Sequence, residues 1–314
     1  MTLSRHFLRL KVRQQIILLA FTLVVPLSIR VASNNDGGET PFFFENGLVI
    51  VDASIKGKIP LQVVLATGSE YSIIDTELLQ EYDLQASYTS DGPVIGRPTD
   101  STYTFVSVST VRVGGSKSRD LNMRLGSMST VNKVTGRRIF AALGADFFEG
   151  QVIQFDFKRK VLKFLAGPAS EEEKGKIADS TAGATVRLRM ADKISNPFKK
   201  TFVVPFVERV IINGKEVKLL LDTGRATCLA LSSSSARKLG FAPPNENDQS
   251  RADTADSMQI GEYRLTDVPV MLFPEGSSAD KSLRSYGVVA GTIFLQQFLV
   301  TFNFDKKLVL LKRG

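Results

Sequence analysis

Histidine, cysteine and tryptophan are almost missing from this 314-residue chain, which has one histidine (His6), one cysteine (Cys228) and no tryptophan. Because His6 lies at the very start, the rest of the chain cannot build a Ser-His-Asp or Cys-His catalytic group or a histidine-containing metal site. A single cysteine also excludes an intramolecular disulfide. We therefore expect no metal and no cofactor, and any hydrolytic chemistry must use carboxylates, lysine, tyrosine or backbone groups.

The net positive charge is small once the N-terminal residues are left out. The formal net charge is +8, but the first 35 residues contain five basic side chains and no acidic one. Without these five charges, 35 lysines and arginines face 32 acidic residues, a net charge of +3. This balance predicts no basic face for nucleic acid, and we expect no nucleic-acid partner.

The N-terminus has the pattern of a secretory signal. Basic residues precede an apolar run at 16–29, IILLAFTLVVPLSI, and the small residues Val31 and Ser33 could flank a cleavage site. This run is shorter than the roughly 20 residues that cross a membrane. We interpret residues 1–33 as a signal peptide or an uncleaved anchor, which would be the chain's only membrane contact. An exported protein without disulfides fits a bacterial envelope, so we expect a periplasmic or secreted location.

The chain repeats itself. Residues 53–74, ASIKGKIPLQVVLATGSEYSII, and residues 210–231, VIINGKEVKLLLDTGRATCLAL, show the same order of strand, glycine turn, strand, x-Thr-Gly and apolar strand. Further downstream two more blocks match at a constant offset of 147, so that Gly114, Asp120 and Gly144 fall on Gly261, Asp267 and Gly291. Agreement over separated blocks indicates a duplicated lobe.

The repeat predicts a mostly β protein with two homologous lobes in tandem, at residues 40–166 and 185–314. Residues 167–184 are rich in glycine, serine, alanine and charge, which is typical of a linker. We expect one short helix per lobe. In the first lobe Asp75 could cap TELLQEYDL, and in the second the serines at 232–235 lead into ARKLG, with Gly240 as the stop.

The apolar strand ending in Asp-Thr-Gly, followed later by an apolar-apolar-Gly step, resembles the aspartic peptidases. Each lobe is similar to a retropepsin-like β-barrel lobe, and the tandem resembles the two-lobed pepsin arrangement over residues 42–165 and 185–314. The resemblance implies a cleft between the lobes that binds an extended peptide. It also implies two carboxylates at the seam between the lobes, which share one proton and activate a water.

The resemblance assigns roles to six residues. Asp222 would be one of the two catalytic carboxylates, and Ala66 occupies the position of the other. The remaining four support the motif, with threonines that brace the seam and glycines that allow close approach: Thr67, Gly68, Thr223 and Gly224. Because the shared-proton pair lacks one member, we expect weak or no peptidase activity when the two lobes of one chain pair with each other.

Several alternatives stay open. Lobe 2 could pair with lobe 2 of another chain and bring two Asp222 carboxylates together, making an active aspartic-type endopeptidase. Glu70 could supply the second acid, and Arg225 could either pair with Asp222 or point into solvent. Taken alone, Asp222 could also be an ordinary turn residue. A structural envelope protein on the same scaffold is a further alternative, so the sequence leaves the enzymatic status, the peptide or protein ligand and the oligomeric state undecided.

Overall fold

The computed structural model describes residues 38–82, 84–91, 102–165, 185–195 and 201–313. The segment interpreted as a signal peptide or anchor (1–33) and the linker (167–184) lie outside the described residues. The domain limits therefore stay predictions.

The first half of the chain contributes eleven strands. They are β1 (Glu39–Pro41), β2 (Phe43–Glu45), β3 (Leu48–Ile55), β4 (Lys58–Leu65), β5 (Ile73–Asp75), β6 (Ala86–Asp91), β7 (Thr102–Val113), β8 (Ser116–Gly126), β9 (Ile139–Leu143), β10 (Val152–Asp156) and β11 (Val161–Phe164). The second half continues with β12 (Thr185–Ser195), β13 (Thr201–Ile212), β14 (Lys215–Leu221), β15 (Leu229–Leu231), β16 (Arg251–Ile260), β17 (Tyr263–Leu272), β18 (Val288–Ala290), β19 (Phe298–Asn303) and β20 (Leu308–Arg313).

Each half closes a six-stranded barrel. In lobe 1 the strand order is β3-β4-β9-β5-β8-β7, and pairing of β3 with β7 closes the ring. In lobe 2 the order β13-β14-β18-β15-β17-β16 is closed by β13 and β16. A third sheet, β1-β11-β10-β19-β20-β12, takes strands from both halves and joins the barrels. The mostly β fold with two tandem barrels, predicted from the repeat, is confirmed.

Equivalent positions of the repeat adopt the same unusual backbone conformation. The Asn213-Gly214 turn between β13 and β14 has φ values of 47° and 73°, and its counterpart Lys56-Gly57 has 49° and 74°. Asp120 and Asp267 also share a positive φ, at 52° and 53°. Few non-glycine residues adopt this conformation, so its recurrence at aligned positions reflects the duplication at the level of the backbone.

The helices are more numerous than the one per lobe that the sequence predicted. The described residues contain α1 (Leu78–Glu81), α2 (Ser129–Thr135), α3 (Ala145–Phe148), α4 (Ser233–Lys238), α5 (Ser278–Leu283) and α6 (Thr292–Leu295). The predicted pair corresponds to α1 and α4. The additional helices span one or two turns, too short to produce a 3.6-residue periodicity in the sequence. None of the helices in the described ranges is long and apolar enough to cross a membrane.

The strands that lead to the two x-Thr-Gly motifs belong to the barrel walls and end in buried residues. β4 pairs in parallel with β9, and β14 pairs in parallel with β18. Leu65 and Leu221, the last residues of β4 and β14, are fully buried. Strands that are buried on both faces read as continuous apolar runs, which is why VVL and LLL precede the two motifs.

Candidate active site at the seam between the lobes

Ala66 and Asp222 occupy equivalent positions, one residue beyond the ends of β4 and β14. The Ala66 N–H donates to the Leu143 carbonyl at 2.8 Å, and the Asp222 N–H donates to the Ala290 carbonyl at 2.9 Å. Both acceptors are the last residues of the parallel neighbouring strands. The two loops therefore leave their barrels in the same way and meet at the seam.

Four hydrogen bonds made by Thr67 and Thr223 join the loops. The Thr67 N–H donates to Thr223 Oγ1 at 3.1 Å, and the Thr223 N–H donates to Thr67 Oγ1 at 3.1 Å. Each hydroxyl then donates to a carbonyl of the opposite lobe, Thr67 to Leu221 at 3.0 Å and Thr223 to Leu65 at 2.7 Å. Both threonines are fully buried. The reciprocal pattern fixes the distance between the lobes.

The glycines of the two motifs allow the backbones to meet. A methyl group placed on Gly68 would lie 2.6 Å from the Asp222 Cβ, and one placed on Gly224 would lie 2.6 Å from the Ala66 Cβ. Real Cβ atoms do not approach this closely, so neither position admits a side chain without a shift of its neighbours. Their role is close packing across the seam.

Asp222 is half-buried, and donors from both lobes hold its carboxylate. Its Oδ1 accepts from the Gly68 N–H at 3.1 Å and from the Gly224 N–H at 2.8 Å. Within the part of the chain that the structure describes, its Oδ2 forms no hydrogen bond. Across the seam lies Ala66, of which 8% is exposed. The seam thus presents one carboxylate and one methyl group.

Glu70 and Arg225 lie on the two loops beside this seam. Glu70 is buried, with 4% of its surface exposed. Arg225 is half-buried, and it forms no ion pair with Asp222 or with any other described residue. The pairing of Arg225 with Asp222 that the sequence left open is therefore not formed in this structure.

Tyr286, which precedes β18, lies in the electrostatic field of these groups, although no sequence pattern marked it. Burial raises the pKa of its phenol well above the usual value, and the charges of Glu70 and Asp222 raise it further. The positive charges of Arg225 and Arg124 lower the same pKa by less. The phenol of Tyr286 therefore stays protonated at any physiological pH.

Asp146 is a second buried acid, in contact with the loop that follows the Ala-Thr-Gly motif. It lies in the first turn of α3 and is 7% exposed. Its Oδ1 accepts from the Ser72 N–H at 2.8 Å and the Ser72 hydroxyl at 2.7 Å. Burial raises the pKa of Asp146 to about 6, against the lowering effect of the Ser72 and Phe147 hydrogen bonds. Asp146 thereby anchors the loop that follows the Ala-Thr-Gly motif.

Aromatic side chains also cross between the lobes. Tyr71, on the same loop as Glu70, lies edge-on to Phe105 of lobe 1, with ring centroids 5.3 Å apart, and to Phe202 of lobe 2, at 6.3 Å. All three are buried. The Tyr71 hydroxyl finds no hydrogen-bond partner among the described residues. This contact adds an apolar link beside the polar one of the threonines.

Other chemistries find little support in the described residues. No group of three or more His, Cys, Asp or Glu side chains in those ranges is arranged to hold a metal ion. Cys228 is buried, which raises the pKa of its thiol to about 11 and keeps it protonated at neutral pH.

Comparisons with known proteins agree with this geometry. Residues 208–285, which include Asp222, match the sequence model of a family described as aspartyl protease. No curated protein matches the chain. Among solved structures, an aspartic proteinase from Irpex lacteus superposes with a TM-score of 0.50 and 11% identity, covering 88% of this chain and 97% of that one. The second lobe is thus similar in sequence to the aspartyl protease family, and the chain as a whole shares the fold of an aspartic proteinase.

Proposed function

We propose that this chain is an exported peptide-binding protein on the aspartic-peptidase scaffold, with weak or no peptidase activity when its own lobes pair. One observation carries the proposal: N–H groups of both lobes hold Asp222, and Ala66 occupies the equivalent position in the other lobe. The supporting threonines and glycines of both motifs are present, but they surround only one carboxylate.

The chemistry explains why a single carboxylate is insufficient. Two adjacent carboxylates cannot both ionise, so one keeps a proton. The ionised member then takes a proton from the attacking water while the protonated member donates to the peptide carbonyl. Asp222 alone can fill only one of these roles at a time. Loss of a general acid or base typically costs about 10²–10⁴-fold in rate.

Binding a peptide requires fewer functional groups than cleaving it. An extended peptide between the lobes needs main-chain hydrogen-bond partners and a rigid floor, and neither depends on the second carboxylate. The reciprocal bonds of Thr67 and Thr223 supply the rigidity. Peptide binding without cleavage is therefore the function that we favour for this seam.

The alternative of an active lobe-2 homodimer faces a structural cost. Thr223 already uses both its N–H and its hydroxyl to bond lobe 1 of the same chain. A dimer through lobe 2 would have to break these bonds and displace a tethered lobe 1, which competes at high effective concentration. Export through the N-terminal segment remains part of the proposal and rests on the sequence pattern alone.

The test is hydrolysis of a diverse peptide library from about pH 3 to about pH 7, the range in which carboxylate pairs operate. The natural protein would be compared with Ala66→Asp, Ala66→Asn and Asp222→Asn. We expect cleavage only from Ala66→Asp, since Ala66→Asn adds similar bulk without an ionisable group. Binding of uncleaved peptides by the natural protein, followed by fluorescence anisotropy, is the second expected result.

Two outcomes would contradict the proposal. Cleavage by the natural protein that disappears in Asp222→Asn would mean that a second acid is present. Its dependence on protein concentration would then point to the homodimer, and its loss in Glu70→Gln would point to Glu70. Failure to bind any peptide would instead favour the structural envelope protein.

A further inference from the structure

The main chain of Arg225 is fixed at the seam. Its N–H lies 3.4 Å from the Asp222 carbonyl, and its own carbonyl accepts from the Thr292 N–H at 2.8 Å and the Thr292 hydroxyl at 3.1 Å. Gly291 packs so closely that a methyl group there would lie 2.2 Å from the Arg225 oxygen. The side chain therefore starts from a rigid point next to the half-buried carboxylate.

The charge of Arg225 is not matched within the described part of the chain. Other arginines pair with acids, as Arg137 does with Glu45 at 2.6 Å and Arg284 with Asp280 at 3.0 Å. Arg225, a half-buried residue, forms no such bridge with any described residue, although Asp222 is only three positions away. An arginine without an ion-pair partner can bind an anionic ligand.

The nearby groups leave this charge available to a ligand. The Oδ1 of Asp222 already accepts two backbone N–H groups. Tyr286, which feels the charge of Arg225, keeps a neutral phenol and does not neutralise it. An incoming carboxylate would thus meet a cationic side chain that extends from a fixed main chain beside the seam.

We propose that Arg225 is a specificity-determining residue that selects peptides with an acidic side chain next to the segment bound over Asp222. This inference rests on the proposed peptide-binding function. Arginine offers a planar fork of N–H donors that matches a carboxylate in two parallel hydrogen bonds. Arg225 directly follows the Asp-Thr-Gly motif in the sequence.

The experiment uses matched extended peptides that carry Glu, Gln or Lys at one position, scanned along the sequence, with binding to the full protein measured by fluorescence anisotropy. We expect one position at which Glu binds about tenfold or more tightly than Gln, with Lys weakest, because charge-assisted bonds are the strong ones. Arg225→Gln should remove this preference for Glu over Gln. Arg225→Lys should keep part of it.

The matched control is Arg264→Gln, which removes an exposed charge on β17 of the same lobe and should leave the preference intact. Equal affinity for Glu and Gln peptides at every position would overturn this inference but not the proposed function. This comparison needs only the natural protein. A preference for Glu that survives in Arg225→Gln would also overturn it. Absence of binding by every peptide would overturn the proposed function together with it.

Discussion

Ala66 presents its Cβ to Gly224 across the seam, just as Asp222 presents its own Cβ to Gly68 from the opposite side. A methyl group on either glycine would lie 2.6 Å from the facing Cβ. The two lobes thus keep the same packing at this point whether the residue carries a carboxylate or not. The scaffold does not depend on the charge that lobe 1 lacks, so the loss of that charge leaves the fold intact.

Alanine at Gly68 or Gly224 should destabilise the protein. Each added methyl group would overlap a fixed neighbour, and overpacking of a tight interior typically costs about 1–3 kcal/mol. Urea unfolding of Gly68→Ala and Gly224→Ala measures the effect. Gly126→Ala gives a comparison away from the seam, because its methyl group would lie 2.9 Å from Ile73 Cγ2 of the same lobe. Stabilities of Gly68→Ala and Gly224→Ala equal to that of the natural protein would contradict the close packing across the seam.

Replacing Thr67 or Thr223 with valine should weaken the contact between the lobes and destabilise the protein. Each substitution leaves buried main-chain groups of the opposite lobe without a partner, and each such group costs about 1–3 kcal/mol. Each single variant removes two of the four bonds and the double variant removes all four, so the double variant should lose more stability than either single one. Chemical unfolding of the two single variants and the double variant tests this, with the exposed Thr254→Val as control. Single variants as stable as the natural protein would argue against the reciprocal bonding.

Asp146 should make stability depend on pH. Its pKa rises from 3.8 to about 6 on folding, so the folded state holds the proton more tightly than the unfolded state. The stabilising contribution is therefore complete below the unfolded pKa and is lost as pH rises through about 6. The loss amounts to up to about 3 kcal/mol.

Urea unfolding at acidic and at neutral pH measures this change for the natural protein and for Asp146→Asn. The asparagine cannot titrate but can still accept a hydrogen bond from Ser72. We expect the stability difference between the two proteins to shift in favour of Asp146→Asn as the pH rises. A pH-independent difference would show that Asp146 keeps one charge state throughout.

Phenylalanine at Tyr71 should leave stability unchanged or raise it. The Tyr71 hydroxyl is buried and has no hydrogen-bond partner among the described residues, so its removal relieves a desolvation cost of about 1–3 kcal/mol. The matched control is Tyr263→Phe, because the Tyr263 hydroxyl donates to the Leu311 carbonyl at 3.2 Å and its removal should destabilise. Melting temperatures compare the two. A large loss in Tyr71→Phe would mean that its hydroxyl has a bound water as partner.

Much of the fold could be predicted from the sequence because the chain is duplicated. The Asn213-Gly214 turn and the capped start of α4, where Ser232 accepts from the Ser235 N–H, depend on local residues, and the structure contains both. The additional short helices of the described residues were not predicted, because one or two turns leave no periodic signal. The hydrogen bonds of Asp146 could not be predicted, because their partner, Ser72, lies 74 residues away.

The sequence by itself determined the tandem lobes, the x-Thr-Gly motifs and the difference between Ala66 and Asp222, since each is a matter of residue identity and spacing. Only the tertiary structure decided that the Asp222 carboxylate accepts from Gly68, that Tyr71 links Phe105 to Phe202, and that Arg225 forms no ion pair with another described residue. Gly68 and Asp222 are 154 positions apart. Such contacts depend on how two folded barrels dock, and no local pattern encodes the geometry of that docking.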